Sequence, residues 1–379
     1  MNRFYPPSGL PESNPTRAQG VLAGLHLDLP LLTGLILLCA FGLFVLYSAS
    51  GESSAQIERQ MLRLGVAFGV MVVAAQIPPA QLRRWSPRLF VIGVVLLAAV
   101  LAIGDVGKGA QRWLNLGFVR FQPSELTKLA LPMMIAWFLA EKPLPPSWKR
   151  LGMAGLMIVV PVLMIAKQPD LGTALLVASA GIFVLFLAGL SWRFIFGMVL
   201  TAIPSGWVLW EWGMQEYQRG RVLTFLDPER DPLGSGYHII QSKIAIGSGG
   251  LYGKGWLNGT QSHLEFLPER TTDFIFAVLA EEFGLTGVIL LLALYLFIIL
   301  RGLYIATQAQ DTFGRLLAGS LTLVFFVYLF VNTGMVSGLL PVVGVPLPLV
   351  SFGGTSLVTI MAGFGMLMSI HTHRKLLPT

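Results

Sequence analysis

The amino-acid sequence predicts an all-α polytopic membrane protein with ten transmembrane helices. Of its 379 residues, 54% are apolar and only 12% are charged, whereas an ordinary soluble domain carries about 25% charged residues. Ten apolar runs approach or exceed the roughly 20 residues that a helix needs to cross a bilayer. These runs occupy residues 29–48, 61–77, 88–104, 124–140, 151–166, 171–190, 193–212, 274–300, 313–335 and 355–370.

The distribution of basic residues predicts how these helices are oriented. An even number of spans places both termini on one side, and Lys and Arg are more frequent in the short loops on that side. The positive-inside rule then places both termini in the cytoplasm and makes residues 213–272, between the seventh and eighth helices, one large extracytoplasmic loop. Residues 1–27 are expected to form a flexible cytoplasmic tail, and residues 28–379 a single transmembrane domain.

The formal net charge of +7 does not indicate a nucleic-acid-binding protein. The basic residues are spread over short loops, which is typical of membrane topology and of contact with membrane lipids. His238 and His263 lie far apart in the large loop with no cysteine nearby. That spacing is unlike a zinc site, so no metal site is predicted.

Asp273 is the acid around which the rest of the sequence is interpreted. It closes a polar loop, and the eighth apolar run begins directly after it. An acid at that boundary between water and lipid costs several kcal/mol unless it faces a wet cavity or a partner. Helical spacing places Ala277, Ala280 and Gly284 below it on one face, and such small residues leave room for a ligand or a neighbouring helix. A helix cap and a functional acid are both consistent with this pattern.

Polar residues also cluster in the loop before the fourth helix, which reads QRWLNLGFVRFQPSELTK. Gln122 precedes a proline suited to the first turn of a helix, and Glu125 and Lys128 follow at a spacing that lets them pair. This pair is either a structural ion pair near the membrane boundary or part of the catalytic machinery. Arg112, beside Trp113, is either an interfacial anchor or a phosphate-binding group, because a guanidinium offers paired donors.

Three other features each have two interpretations. Asp170 either caps the sixth helix or projects into an outer cavity. The adjacent Glu281 and Glu282 are either a proton path or hydrogen-bonded structural acids. The pair Gly353–Gly354 either presents backbone N–H groups to an anion or forms a simple turn. The segment Tyr237–Ile246 is periodic enough for a short amphipathic helix at the surface.

Several segments occur together and in the same order as in one known family. They read QRWLNLGFVRFQPSE, KQPDLGTA, DPLGSGYHIIQSKIAIGSGGLYGKG, GTQSHLEFLPERTTDFIFAVLAEEFG and GVPLPLVSFGGTS. The chain resembles the SEDS proteins (shape, elongation, division and sporulation), and its RFQPSE and LEFLPER forms resemble the elongation member more than the division member. Thr271 stands where this family commonly has histidine, so no imidazole role is carried over to that position.

The resemblance implies a peptidoglycan glycosyltransferase of the bacterial cytoplasmic (inner) membrane that polymerises lipid II at the outer face. It also implies a ten-helix fold and a role in cell elongation and rod shape. Its expected partner is a class B penicillin-binding protein, the transpeptidase of the elongation machinery. The essential loop acid of the family corresponds to Asp273, and its acid–base pair corresponds to Glu125 and Lys128.

General chemistry agrees with this assignment. A carboxylate can remove the proton from an attacking 4-hydroxyl, and Asp273 is the hypothesised base for direct inversion at the anomeric carbon. The leaving group is a pyrophosphate, so cations can take the place of a general acid. The candidate cations, in order of preference, are Lys128, Arg112, Lys243 and Arg270, and the further candidates for substrate binding are Asp170 and Gln122. No ligand cluster in the sequence demands a metal or another cofactor, although a divalent cation at the pyrophosphate is compatible with the chemistry.

A transporter that flips lipid II across the membrane is the alternative function, and a scaffold for the transpeptidase ranks third. Ten helices and the acids Glu281 and Glu282 fit a flippase. However, a flippase needs polar groups through the whole depth of the membrane, and alternating access usually involves broken helices. Here the charges concentrate on the predicted outer side, which favours chemistry at that surface.

Overall fold

The computed structural model of the chain describes residues 24–107, 110–115, 120–190, 196–197, 200–201, 204, 206–214, 216–227, 236–263 and 269–373. Within these residues the protein is a helical bundle with one small β-sheet. The helices are α1 (Leu29–Ala49), α2 (Ser54–Ala75), α3 (Pro79–Ile103), α4 (Pro123–Ala140), α5 (Trp148–Lys167), α6 (Leu171–Leu187), α7 (Glu216–Leu226), α8 (Tyr237–Gly249), α9 (Thr260–His263), α10 (Ile275–Thr307), α11 (Thr312–Val336) and α12 (Thr355–Thr372). A π-helical turn at Leu209–Gly213 precedes α7.

Nine of the ten predicted apolar runs coincide with helices, namely α1 to α6 and α10 to α12. Of the 20 residues in the run at 193–212, eight lie outside the described residues, and the twelve described ones are helical and include most of the π-helical turn. Six described helices are long and apolar enough to cross a membrane: α1, α3, α5, α10, α11 and α12. The apolar α6 is shorter, with 17 residues. The chain is therefore a multi-pass membrane protein, whereas the count of ten spans stays a prediction.

The helices expose apolar side chains on one side and bury them on the other, as expected of helices that face lipid outside and protein inside. In α1, Leu31, Leu35 and Leu38 are fully buried, whereas Leu29 and Leu37 are about half exposed. Close packing pairs α1 with α10, α2 with α12, α3 with α4, and α6 with α11. The core therefore runs along the length of the bundle.

A small antiparallel sheet before α4 departs from the predicted all-α fold. Its strands, in the order β1-β2-β3, are β1 (Asp105–Gly107), β2 (Ala110–Asn115) and β3 (Arg120–Phe121). Leu114 pairs with Phe121 across β2 and β3. Strands this short do not produce a recognisable alternation of apolar and polar residues, so they could not be predicted from the sequence. The sheet carries Arg112 on its central strand.

The loop helix predicted at Tyr237–Ile246 is present as α8, but it does not lie free on the surface as expected. It packs against α10 and α11, and its residues Ile239 and Ala245 are buried. The buried Ser242 hydroxyl donates a hydrogen bond to the carbonyl of Val336 at 2.8 Å, at the end of α11. The apolar face of α8 is therefore covered by the bundle.

The apolar run predicted as one helix over 274–300 is interrupted at Gly284. Its φ of 61° and ψ of −158° lie outside helical geometry. The backbone groups released by the break bond to the loop over residues 250–255. Leu285 N–H donates to the carbonyl of Gly250 at 3.0 Å, and Lys254 N–H donates to the carbonyl of Glu281 at 3.0 Å. These bonds satisfy backbone groups that lipid could not.

Two acids beside this break are hydrogen-bonded to other parts of the protein. Glu281 accepts hydrogen bonds from the ammonium of Lys254 at 2.7 Å and from the hydroxyl of Thr260 at 3.0 Å. Glu282 accepts a short hydrogen bond from the hydroxyl of Ser48 on α1. Both acids are fully buried. This arrangement favours structural acids over a proton path, because each carboxylate fixes a neighbouring segment to α10.

Asp28 joins the ends of three helices on the side of the bundle where α1 begins. Its carboxylate accepts from the Leu31 N–H at 3.0 Å, from the Arg301 guanidinium on α10 at 2.6 Å and from His371 on α12 at 3.0 Å. Burial raises the pKa of Asp28, but the bonds from His371, Arg301 and the Leu31 N–H outweigh burial and hold that pKa well below its usual range.

We predict that Gly284→Ala lowers the free energy of unfolding by about 2 kcal/mol or more, because a Cβ at this positive φ would lie 2.4 Å from the Gly253 nitrogen. The matched control is Gly69→Ala on α2, where a Cβ meets nothing within 4 Å. That control should change stability by less than about 1 kcal/mol. Thermal unfolding in detergent measures both, and equal melting temperatures would contradict the constraint at Gly284.

A second prediction concerns the pH dependence of the Asp28 cluster. A carboxylate with a depressed pKa stabilises the folded state above its unfolded pKa of about 4, and this contribution is lost as pH falls towards the folded pKa. Asp28→Asn should therefore cost about 2 kcal/mol at pH 5–7, and the difference from wild type should shrink below about pH 4. Unfolding midpoints across this range provide the measurement. A gap that stays constant down to pH 3 would show that the carboxylate charge is not what stabilises the cluster.

Candidate active site

One polar cavity collects most of the residues that the sequence analysis selected. It has a volume of about 170 Å³ and lies among β2, α11, the loop before α12 and the first turns of α4, α6 and α12. The selected residues in its wall are Arg112, Gln122, Glu125, Lys128 and Asp170. Folding thus brings together residues from three segments that are well separated in the chain, at 112–128, 170–176 and 328–356.

Glu125 and Lys128 form a buried ion pair at the start of α4. The ammonium of Lys128 lies 2.8 Å from Oε1 of Glu125, and each residue is 6% exposed. The same ammonium lies 5.4 Å from the centre of the Tyr328 ring on α11. Oε2 of Glu125 has no hydrogen-bond partner among the described residues. The pair therefore places a cation in the cavity wall beside a carboxylate whose second oxygen is buried without a hydrogen-bond partner among the described residues.

Asp170 meets both of its predicted interpretations, because it caps α6 and also lines the cavity. Its Oδ1 accepts from the Thr173 N–H at 3.2 Å, and its Oδ2 accepts from the Gln122 amide at 3.2 Å. Nε of Arg112 lies 3.7 Å from that Oδ2, and a terminal nitrogen of Arg112 donates to the carbonyl of Pro169 at 2.5 Å. The guanidinium is thus oriented by α6 while about a third of the Arg112 side chain stays exposed.

The turn that carries Asp273 is fixed to the loop before α12. Asn332, fully buried on α11, donates from its amide nitrogen to the carbonyl of Asp273 at 2.9 Å and to the carbonyl of Val345 at 2.8 Å. The N–H of Phe352 also donates to the carbonyl of Thr271 at 2.8 Å. Asn332 therefore connects the acid-bearing turn to the cavity wall.

The carboxylate of Asp273 lies at the edge of the cavity rather than in the wall itself. Gly344 does line the cavity, and a Cβ placed on it would lie 3.6 Å from Oδ2 of Asp273. The absence of a side chain at Gly344 therefore leaves the acid close to the space that Lys128 and Arg112 border. Sequence reasoning selected Asp273 but missed Asn332, although a lone asparagine in an apolar helix is itself a signal.

Lys243 and Arg270, the other candidate cations, lie outside the wall of this cavity. Lys243 is exposed on α8, and its ammonium lies beside Gly338, just after the end of α11. A cation there interacts favourably with the helix dipole. Arg270 is half-buried, and its guanidinium would lie 3.8 Å from a Cβ placed on Gly51, in the turn between α1 and α2. Neither residue shares the immediate environment of Lys128.

Comparison with known proteins assigns the chain to a family. A family model for the FtsW, RodA and SpoVE cell cycle proteins matches residues 29–376. The chain belongs to this family. The match covers the helices from α1 to α12 and every residue of the polar cavity, and it confirms the resemblance drawn from the sequence motifs.

Individual relatives are similar over nearly their whole length. The peptidoglycan glycosyltransferase MrdB of Escherichia coli strain K12 is 59% identical over 353 residues, which cover 93% of this chain and 95% of that protein. The probable peptidoglycan glycosyltransferase FtsW of Geobacter metallireducens is 37% identical over 360 residues, covering 92% and 95%.

Solved structures of the family share the fold. A chain from a peptidoglycan synthase complex, studied for its structural coordination of polymerization and crosslinking, superimposes with a TM-score of 0.80 at 33% identity. That match covers 92% of this chain and 99% of the other. The rod shape determining protein RodA of Thermus thermophilus gives a TM-score of 0.69 at 28% identity, covering 92% and 98%.

The geometry of the buried pair yields a prediction for stability. Glu125→Gln or Lys128→Met alone leaves one charge buried without its partner and should cost about 3–5 kcal/mol. The double variant removes both charges and should recover much of that loss. The exposed Glu141→Gln at the end of α4 serves as the control. A double-mutant cycle of unfolding free energies measures the coupling, and strictly additive losses would show that the two side chains do not stabilise each other.

Proposed function

We propose that this chain is a peptidoglycan glycosyltransferase that polymerises lipid II into glycan strands at the outer face of the cytoplasmic membrane during cell elongation. The observation that carries the proposal is the polar cavity, whose wall contains Lys128 and Arg112 and also Gly344, the glycine next to the carboxylate of Asp273. Similarity to named peptidoglycan glycosyltransferases over more than nine-tenths of the chain supports the reaction class.

In the proposed reaction, Asp273 is the general base. The 4-hydroxyl of one lipid-linked sugar attacks the anomeric carbon of another and gives its proton to the carboxylate. The new glycosidic bond forms as the bond between the anomeric carbon and the pyrophosphate oxygen breaks, and the configuration inverts. Undecaprenyl pyrophosphate leaves with the bonding electron pair. The hydrogen bond from Asn332 to the carbonyl of Asp273 holds the base in position.

Lys128 and Arg112 are the proposed ligands of the pyrophosphate. Cations at a departing pyrophosphate stabilise the negative charge that develops in the transition state. Asp170, which accepts a hydrogen bond from the Gln122 amide, orients Arg112, and Glu125 holds Lys128 in place. A divalent cation on the pyrophosphate is compatible with this scheme, because phosphate oxygens and water supply most of the ligands of such an ion.

The proposed setting follows the topology predicted from the sequence. Ten spans with both termini in the cytoplasm place the polar cavity, Asp273 and the loop at 213–272 on the outer side, where the glycan strand is made. The proposed partner is a class B penicillin-binding protein, which would crosslink the strand. A related chain occurs in a peptidoglycan synthase complex that couples polymerization and crosslinking, which supports this pairing.

A lipid II flippase is the second candidate, and the break at Gly284 is the observation that favours it. Broken helices line the transport path of many transporters. Here, however, the backbone groups at the break bond to the loop at 250–255, and Glu281 and Glu282 are bonded to Lys254 and Ser48. A break filled by the protein's own loop supports a fixed structural role, so the enzyme is preferred.

The decisive test is polymerisation of purified lipid II by wild type, Asp273→Asn and the control Asp227→Asn. Asp227 is an exposed acid at the end of α7. Loss of the base should reduce the rate about 10²–10⁴-fold, and the control should retain wild-type activity. The assay is run with and without the transpeptidase, on variants whose melting temperatures match wild type.

Each outcome separates the candidates. Equal polymerisation by Asp273→Asn would remove this acid from the mechanism and direct attention to Glu125 and Asp170. Lipid II that crosses liposome membranes without forming polymer, in every variant and with the transpeptidase present, would make the flippase the better function.

A further inference from the structure

A second cavity lies at the opposite end of the bundle from Asp273. It has a volume of about 650 Å³ and is lined by the start of α3, the end of α4, the start of α11 and the end of α12. The 18 residues of α12 begin in the wall of the polar cavity and end beside this second cavity, so about 27 Å separates the two. In the predicted topology, the second cavity opens at the cytoplasmic leaflet.

The second cavity is electropositive. Arg83 and Arg84 line it, and no ion pair joins either one to another described residue. Asp311, the one acid among the described residues of the wall, caps α11, where it accepts a hydrogen bond from the Gly314 N–H at 3.2 Å. His373 also lines the second cavity and stacks on His26 with ring centres 3.9 Å apart.

The surrounding backbone adds to this positive character. Helix α3 begins at Pro79 in the wall of the second cavity, and no side chain in the described part of the protein caps its N-terminus. The positive end of the helix dipole therefore faces the space that the two arginines border. A helix start alone would not define a site, but here it coincides with two arginines that have no partner among the described residues and with a cavity of headgroup size.

The position of the second cavity indicates which anion it would bind. Trp137, in the last turns of α4, lines it, and tryptophan is enriched at the level of lipid headgroups. Guanidinium groups bind phosphate oxygens through paired donors, and basic pockets between helices on the cytoplasmic side bind phosphate-bearing lipid headgroups. We propose that the second cavity binds the phosphodiester headgroup of an anionic phospholipid of the cytoplasmic leaflet.

The site is independent of the proposed glycosyl transfer, since none of its residues lines the polar cavity. Both α4 and α12 nevertheless contribute to the two cavities at their opposite ends. A bound headgroup would link the ends of α3, α4, α11 and α12 and thereby raise the melting temperature of the whole bundle.

The test is a titration of purified protein in neutral detergent with short-chain phosphatidylglycerol, followed by native mass spectrometry and by thermal unfolding. The test variant is Arg83→Ala/Arg84→Ala. The control is Arg88→Ala/Arg315→Ala, which removes the same charge from exposed arginines at the same end that do not line the second cavity. Short-chain phosphatidylcholine and inorganic phosphate are titrated in parallel, and all variants are first matched for melting temperature without lipid.

Phosphatidylglycerol should bind and stabilise wild type and the control equally. The test variant should need about 30-fold more lipid for half-saturation, which corresponds to about 1 kcal/mol for each arginine. Phosphatidylcholine should bind at least as weakly as phosphatidylglycerol binds the test variant. Equal affinity of the test and control variants would overturn the proposal. Stabilisation by inorganic phosphate equal to that by the lipid would also overturn it, by showing that the site takes a free anion.

Discussion

Polar groups buried in a membrane protein must find partners within the protein, and that requirement organises this structure. The backbone groups at the break in α10 bond to the loop at 250–255, and Glu281 accepts a hydrogen bond from Lys254. Asp28 forms ion pairs with Arg301 and with His371 at the end of α12. Every one of these bonds fixes a loop or a helix end to the bundle. Because the segments are fixed, side chains from distant parts of the sequence stay close enough to form a cavity.

The candidate active site uses the same principle at a smaller scale. Asn332 is fully buried and joins the carbonyl of Asp273 to that of Val345, so one amide sets the distance between the acid and the cavity wall. Asp170 orients Arg112, and Glu125 holds Lys128. The proposed base and the proposed phosphate ligands therefore belong to a network whose members would be costly to move, as preorganised electrostatic catalysis requires.

The sequence predicted the helices well, because apolar runs of membrane length are strong local signals. It also selected Glu125, Lys128, Asp170 and Arg112, since charges beside such runs are costly and need a reason. The sequence did not predict very short elements or features that depend on contacts with distant segments. The strands around Arg112 are too short to show alternation, and the interruption of α10 at Gly284 depends on a loop that fills the gap. A single glycine in an apolar run does not predict such a break in the helix.

By itself, the sequence determined that the chain is a helical membrane protein of the SEDS type, and it selected the acids and cations that are candidates for function. Hydropathy and motifs are properties of contiguous residues, so they can be read along the chain. Only the tertiary structure decided that Lys128 and Arg112 border one cavity, that Lys243 lies elsewhere, and that Asn332 connects the Asp273 turn to that cavity. Those relations are distances between segments far apart in sequence, and packing of the helices sets them.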